Sequence, residues 1–230
     1  MKTVFITGAD RGVGFALCEQ FLDRGYLVIA GQYMPEWPAL EQLKQKYLQQ
    51  LYIVPLDVRS TDSVVRAAEL TREYTDRIDI LINCAGIYGD DQEEKFKDII
   101  NVNTMGPLRV IRAFLPLMEN GMRRLCFFSS ESGSSATQHR GDDGGSAYCM
   151  SKSMLNMEVK LLFNELRPKG YTFRLYHPGW VRSYMSGVKA TVGKLEPEES
   201  AQVAVRQFTE DRACEDILMV VDVYDAVWAF

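Results

Sequence analysis

Tyr148 and Lys152 stand four residues apart in Ser146-Ala147-Tyr148-Cys149-Met150-Ser151-Lys152, at the head of a long helical pattern. Residues at that spacing share one helix face. A phenol ionises near pH ~10 and is a poor base at neutrality. An ammonium beside it favours the phenolate. The two side chains together are therefore a candidate device for moving a proton. Chance puts Tyr and Lys at this spacing on many solvated helices, so the surrounding elements have to decide. Cys149, next to the phenol, reads either as an inert small residue or as a thiol open to oxidants.

Short apolar runs alternate with helical patterns along the whole chain. Strands are predicted at 3–7, 26–30, 51–56, 78–83, 125–129, 172–177 and 217–221, all β-branched and aromatic with little polar alternation. Such runs suit strands buried on both faces. Helices are predicted at 12–24, 37–49, 61–75, 94–118, 148–167 and 197–209. This alternation implies right-handed crossovers. The expected fold is α/β: a Rossmann-type doubly wound parallel sheet of about seven strands, helices on both faces, one domain over 1–230. No linker, composition break or internal repeat interrupts it. Residues 129–145, rich in Ser, Gly and Asp, read as a loop.

The first strand runs into Thr7-Gly8-Ala9-Asp10-Arg11-Gly12-Val13-Gly14, and a helix follows at once. Gly8 allows a tight turn, Gly12 lets backbone approach a pyrophosphate, and Gly14 lets the helix pack closely. The helix N-terminus then faces the anion. Further motifs follow in order: Leu56-Asp57-Val58, Asn83-Cys84-Ala85-Gly86, Asn101-Val102-Asn103-Thr104-Met105-Gly106, Ser129-Ser130-Glu131-Ser132-Gly133, the Tyr148/Lys152 pair and Pro178-Gly179-Trp180-Val181. Together they resemble the short-chain dehydrogenase/reductase family over essentially the whole chain, and its short C-factor and sniffer-like branch in particular.

That resemblance implies hydride transfer between a nicotinamide cofactor and a carbonyl or alcohol carbon. It assigns Tyr148 as general acid/base and Lys152 as ribose clamp and tuner of the phenol. Ser130 polarises the substrate oxygen, and Asn103 holds a water that relays protons from Lys152. Ser130 fits because it lies three positions before Gly133; Ser129 is the alternative. Cofactor contacts are expected at Thr7, Gly8, Asp10, Arg11, Gly12, Val13, Gly14, Gln32, Asp57, Val58, Asn83, Ala85, Gly86, Tyr148, Lys152, Pro178, Gly179, Val181 and Ser183. The second strand ends in Ala30-Gly31-Gln32-Tyr33, with neither the acid that would bind a ribose nor an Arg for a 2′-phosphate. Arg11 resembles the basic residue of NADP-dependent relatives and can grip phosphate; the alternative is a solvated turn residue. NADP(H) is favoured, with NAD(H) open.

Two departures from the family pattern stand out. Ser130 and Tyr148 lie eighteen positions apart, with the extra length in Gln138-His139-Arg140-Gly141-Asp142-Asp143-Gly144-Gly145, expected to rim the substrate pocket. Ser183 replaces the usual Thr and keeps the hydroxyl. The lid region 184–196 is short, suggesting an open pocket touched by Trp180, Tyr184 and Met185. Glu131 and Ser132 read equally as substrate-facing or solvated. His139 reads as a loop residue and His177 as a packed one; two isolated histidines make no metal site.

Composition sets the remaining bounds. The 230 residues are 47% apolar with net charge −5 and no basic tract, so no nucleic-acid partner is expected. No run of about 18 apolar residues suggests a membrane span. No signal peptide is read, and five scattered cysteines without paired spacing fit a cytoplasmic protein. The expected partner is a small carbonyl or alcohol substrate. The Leu-, Met- and Phe-rich helices at 108–118 and 148–166 either cover the sheet or pair across a two-fold axis in a homodimer or homotetramer. The competing functional reading is a cofactor-binding regulatory or signalling protein on the same fold with little turnover.

Overall fold

A computed structural model describes residues 1–89, 91–136, 145–185 and 187–229. The expected loop insertion, including His139, falls almost wholly at 137–144 and lies outside them. Strands β1 (Thr3–Ile6), β2 (Leu27–Gln32), β3 (Leu51–Pro55), β4 (Ile80–Asn83), β5 (Arg124–Phe128), β6 (Thr172–His177), β7 (Val220–Asp222) and β8 (Val227–Trp228) form one sheet. Its spatial order is β3-β2-β1-β4-β5-β6-β7-β8. The first seven strands run parallel and β8 antiparallel to β7. The order reverses between β1 and β4, and that switch point is where a doubly wound sheet opens a crevice.

Helices α1 (Gly12–Asp23), α2 (Ala39–Lys46) and α7 (Pro197–Thr209) cover one face, and α3 (Thr61–Tyr74), α5 (Gly106–Met118) and α6 (Ser146–Leu166) the other. Alternation along β1 shows why both faces need cover. Phe5 packs into the second layer, while Val4 and Ile6 pack into the first, all fully buried.

Three expectations change. The sheet has eight strands because two residues, Val227–Trp228, pair at its edge. Asp222 fixes that hairpin: one carboxylate oxygen accepts from the Tyr224 and Ala226 amides at 2.8 Å each. The helix expected over 94–118 is interrupted. It comprises α4 (Glu93–Ile100), a π turn at Asn101–Met105, and α5. Gly106 seats α5 against Val58, whose Cγ2 would lie 3.0 Å from an added Cβ. The helix expected over 37–49 is shorter, with Pro38 before its first residue.

Candidate active site

Gly8 adopts φ +65°, and a Cβ there would lie 2.7 Å from Ala85 Cα. At Gly14 an added Cβ would fall 2.0 Å from the Gly8 carbonyl oxygen. Only glycine therefore lets the turn fold back on β4 and the first turn of α1 sit on the turn. Thr7 secures the same junction, its hydroxyl accepting from the Cys84 and Ala85 amides at 3.0 Å. No side chain caps the start of α1, and its first turn holds no acid. Its uncapped amides thus border a cavity of about 1030 Å³ lined by Gly8, Asp10, Arg11, Gly12, Val13 and Gly14.

That cavity continues along the carboxyl ends of the strands to Ser130, Tyr148, Lys152 and the Pro178–Val181 turn. Of the expected cofactor positions, Asp57, Val58, Ala85, Gly86, Pro178, Gly179, Val181 and Ser183 also line it. Thr7, Gln32 and Asn83 do not, and neither does Asn103 of the expected catalytic set. Asn83 donates to the Cys126 carbonyl at 3.5 Å. Asn103 accepts from the Ile87 amide and donates to the Ile87 carbonyl, both at 2.9 Å, and reaches Ser151 Oγ at 3.1 Å. Its amide ties the Ile87 backbone to Ser151 of α6. The π turn delivers Asn103 to that clamp.

Helix α6 carries Tyr148 and Lys152 in its first two turns. Its N-terminus is capped by Asp91, which accepts from the Ser146 amide at 3.2 Å and the Ala147 amide at 2.9 Å. The Ala147 hydrogen bond leads in holding the Asp91 carboxyl below its usual range. Tyr148 is half-buried, its ring edge-on to Tyr88 at 5.3 Å. Lys152 is buried, with Nζ 5.6 Å from the Tyr148 ring centroid and donating to the Phe128 carbonyl at 2.8 Å. Burial pushes its ammonium down to about 8.

Further bonds rivet α6 to the end of β5. Ser129 Oγ donates to Asn156 at 2.6 Å, and Asn156 and Ser153 donate to the Gly133 carbonyl at 3.2 and 3.1 Å. Ser130 Oγ accepts from the Ser132 amide at 3.1 Å. The Ser129 proton is thus engaged, whereas among the described residues Ser130's has no acceptor.

Two arginines, Arg11 and Arg59, line the cavity's other end together with Tyr33. Arg11 lies over Trp37 at 5.3 Å and Tyr184 at 5.9 Å and touches Met34 Sδ. Arg59 stacks on Tyr33 at 5.1 Å and pairs with Asp57 at 2.8 Å. Arg59 had no signal in the chain order, because it follows β3 and only the sheet brings it beside the end of β2. Asp10 accepts from the Tyr33 amide at 2.8 Å, tying the glycine turn to β2. Among the described residues no group of three or more His, Cys, Asp or Glu is placed to hold a metal.

Residues 2–192 match the short chain dehydrogenase family. The chain belongs to that family. An uncharacterized oxidoreductase of Schizosaccharomyces pombe is 34% identical to this short chain dehydrogenase over 193 residues, 80% of the chain and 76% of that protein. The C-signal protein of Myxococcus xanthus is 40% identical over 129 residues, 53% of the chain and 76% of that protein. A carbonyl reductase from Pseudomonas aeruginosa superposes on this dehydrogenase with TM-score 0.83 at 30% identity, covering 100% of both chains. The carbonyl reductase Sniffer of D. melanogaster gives TM-score 0.88 over 100% of both chains; at 24% identity that likeness speaks for the fold alone. Among the described residues no helix of this short chain dehydrogenase is long and apolar enough to cross a membrane.

Proposed function

We propose that this protein interconverts a carbonyl and an alcohol with a nicotinamide dinucleotide, using Tyr148 as general acid/base. The observation that carries this is the single cavity joining the glycine turn to Ser130, Tyr148 and Lys152. The uncapped α1 amides and the close-packed glycines suit a pyrophosphate, so the residues present fit such a cofactor. When bound, that cofactor supplies or accepts the hydride. Tyr148 gives its phenolic proton to the substrate oxygen in reduction and takes it back in oxidation. Lys152, a cation below about pH 8, sits beside the phenol and would donate to a ribose hydroxyl oxygen of the cofactor. Ser130 turns its unengaged proton to the same oxygen and polarises it. Ser129, already bonded to Asn156, is the weaker candidate.

NADP(H) is the preferred form in this reading. Arg11 and Arg59 bring two guanidinium groups to the cavity end around Tyr33, where no acid closes β2. Asp57, next to Arg59, neutralises part of that charge, so Arg11 is the stronger phosphate ligand. Self-association is proposed through α6, whose outer face exposes Met150, Met154, Met157 and Leu161 at helical spacing.

A carbonyl panel assayed with NADPH and NADH tests the proposal, with Tyr148→Phe as control. Turnover falls at least about 10²-fold in the variant while nucleotide affinity stays within about threefold. Undiminished turnover refutes the assignment. The likeness to the C-signal protein favours a second reading, a nucleotide-binding signalling protein. Tight nucleotide binding with no turnover on any carbonyl would select it.

A further inference from the structure

Beside Ser130, the cavity wall carries a donor and an acceptor that the proposed chemistry does not use. His177, at the end of β6, is 8% exposed, and its ring meets Trp228 of β8 edge-on at 5.7 Å. Trp228 is in turn held by Asp222, which accepts from its indole N–H at 2.9 Å. His177 Nδ1 is walled in with no hydrogen-bond partner. Burial pushes the imidazole below its ordinary pKa, against the pull of Glu131 and Asp222, so the ring is neutral at pH 7. A buried N–H without an acceptor is costlier than a bare ring nitrogen, so the proton resides on Nε2. Nε2 lies 3.8 Å from a Glu131 carboxylate oxygen, too far for a hydrogen bond between them. Both residues line the cavity, and Glu131 directly follows Ser130.

An N–H donor and a carboxylate acceptor at that separation suit an atom that accepts one hydrogen bond and donates another. A hydroxyl oxygen about 2.8 Å from each would accept from His177 and donate to Glu131. A carboxylate there would be repelled by Glu131, and an alkyl group would leave both polar groups unpaired. We infer that Glu131 and His177 form a hydroxyl-binding subsite, so that the substrates are hydroxylated carbonyl compounds, or the corresponding diols, carrying a hydroxyl besides the reacting oxygen. The inference rests on the carbonyl–alcohol reading for its reacting centre. It gives the β7–β8 hairpin a function: Trp228 and Asp222 hold the imidazole in place.

The test compares 1-hydroxybutan-2-one and 4-hydroxybutan-2-one with butanone in the wild type, Glu131→Ala, Glu131→Gln and His177→Phe. In the wild type at least one hydroxyketone has kcat/KM at least about tenfold above butanone. Glu131→Ala and His177→Phe bring that ratio near one, and Glu131→Gln, which keeps an acceptor, restores part of it. A purely structural role would lower both substrates together and leave the ratio unchanged. Trp228 emission, titrated with the same compounds in nucleotide-free protein carrying Trp37→Phe and Trp180→Phe so that Trp228 alone emits, reads binding independently. Reduction of all three ketones with equal kcat/KM overturns the subsite and leaves the carbonyl–alcohol reading standing. Failure to reduce any of them, with hydroxyketone-specific quenching that Glu131→Ala abolishes, overturns that reading and keeps the subsite. Absence of both responses overturns both.

Discussion

Replacing Lys152 with Met is expected to make the protein more stable and less active at once. Lys152 is buried against the Phe128 carbonyl, with its ammonium pushed down to about 8 from 10.5. At about 1.36 kcal/mol per unit, holding that charge inside costs about 3 kcal/mol at pH 7. Met has similar length and no charge, but it orphans one carbonyl, a loss of about 1 kcal/mol. The net gain is about 2 kcal/mol, or about 4–8 °C in Tm for a domain of this size. The pH dependence carries the stronger test. Between pH 8 and 10.5 the unfolded wild-type chain binds more protons than the folded one, so wild-type stability rises with pH. The variant has no such group. Its advantage is therefore full below pH 8 and shrinks by about 2 kcal/mol between pH 7 and pH 9.5. Urea denaturation of both proteins without nucleotide at the two pH values measures it. A variant less stable at pH 7, or a difference that does not change with pH, refutes the reasoning. Carbonyl reduction by the variant should be lost under all these conditions.

Arg11→Ala should weaken NADPH binding by about 10–100-fold and NADH by less than about threefold, and Arg59→Ala should do the same to a smaller degree; calorimetric titration with each nucleotide checks this. Glu215 is pushed up by burial, but Arg174, the Arg212 amide and Arg124 together outweigh that and hold it at about 2. Arg174 pairs with it at 2.6 Å, and both arginines are fully buried. Glu215→Gln should then cost about 3 kcal/mol at pH 7, and the gap to wild type should close as pH falls from 4.5 towards 2, read by denaturation curves. Met154→Lys with Met157→Lys should shift a dimer or tetramer to monomer in light scattering, since it puts charge on the exposed apolar face of α6.

Most of the sheet was legible because β1, β2 and β4 to β6 are buried on both faces and so are mainly apolar, even though Arg174 interrupts β6. Strand β8 was not, since two residues have no period to detect. The π turn at Asn101–Met105 was hidden because its one added residue shifts the apolar positions by a single place, too little to interrupt a helical pattern read over many turns. The Tyr148/Lys152 pair was legible from spacing within one helix. Asp91 was not, because its partners, the amides of Ser146 and Ala147, lie 55 and 56 positions away. Arg59 and the Glu131–His177 pair were missed for the same reason: β-sheet neighbours are set by strand order, which single residues do not encode. His177 was read as packed, and the structure places it on the cavity wall as well.

The rivets between α6 and the end of β5 have a consequence for how such a protein can be altered. Lys152, Ser153 and Asn156 bind backbone of β5 and the turn after it, so Ser130 and Tyr148 hold their separation through the scaffold. Three side chains of one helix thus act as spacers between two strands of chemistry, and shortening one of them, as in Asn156→Ala, would shift Ser130 relative to Tyr148 without altering any residue of the cavity wall.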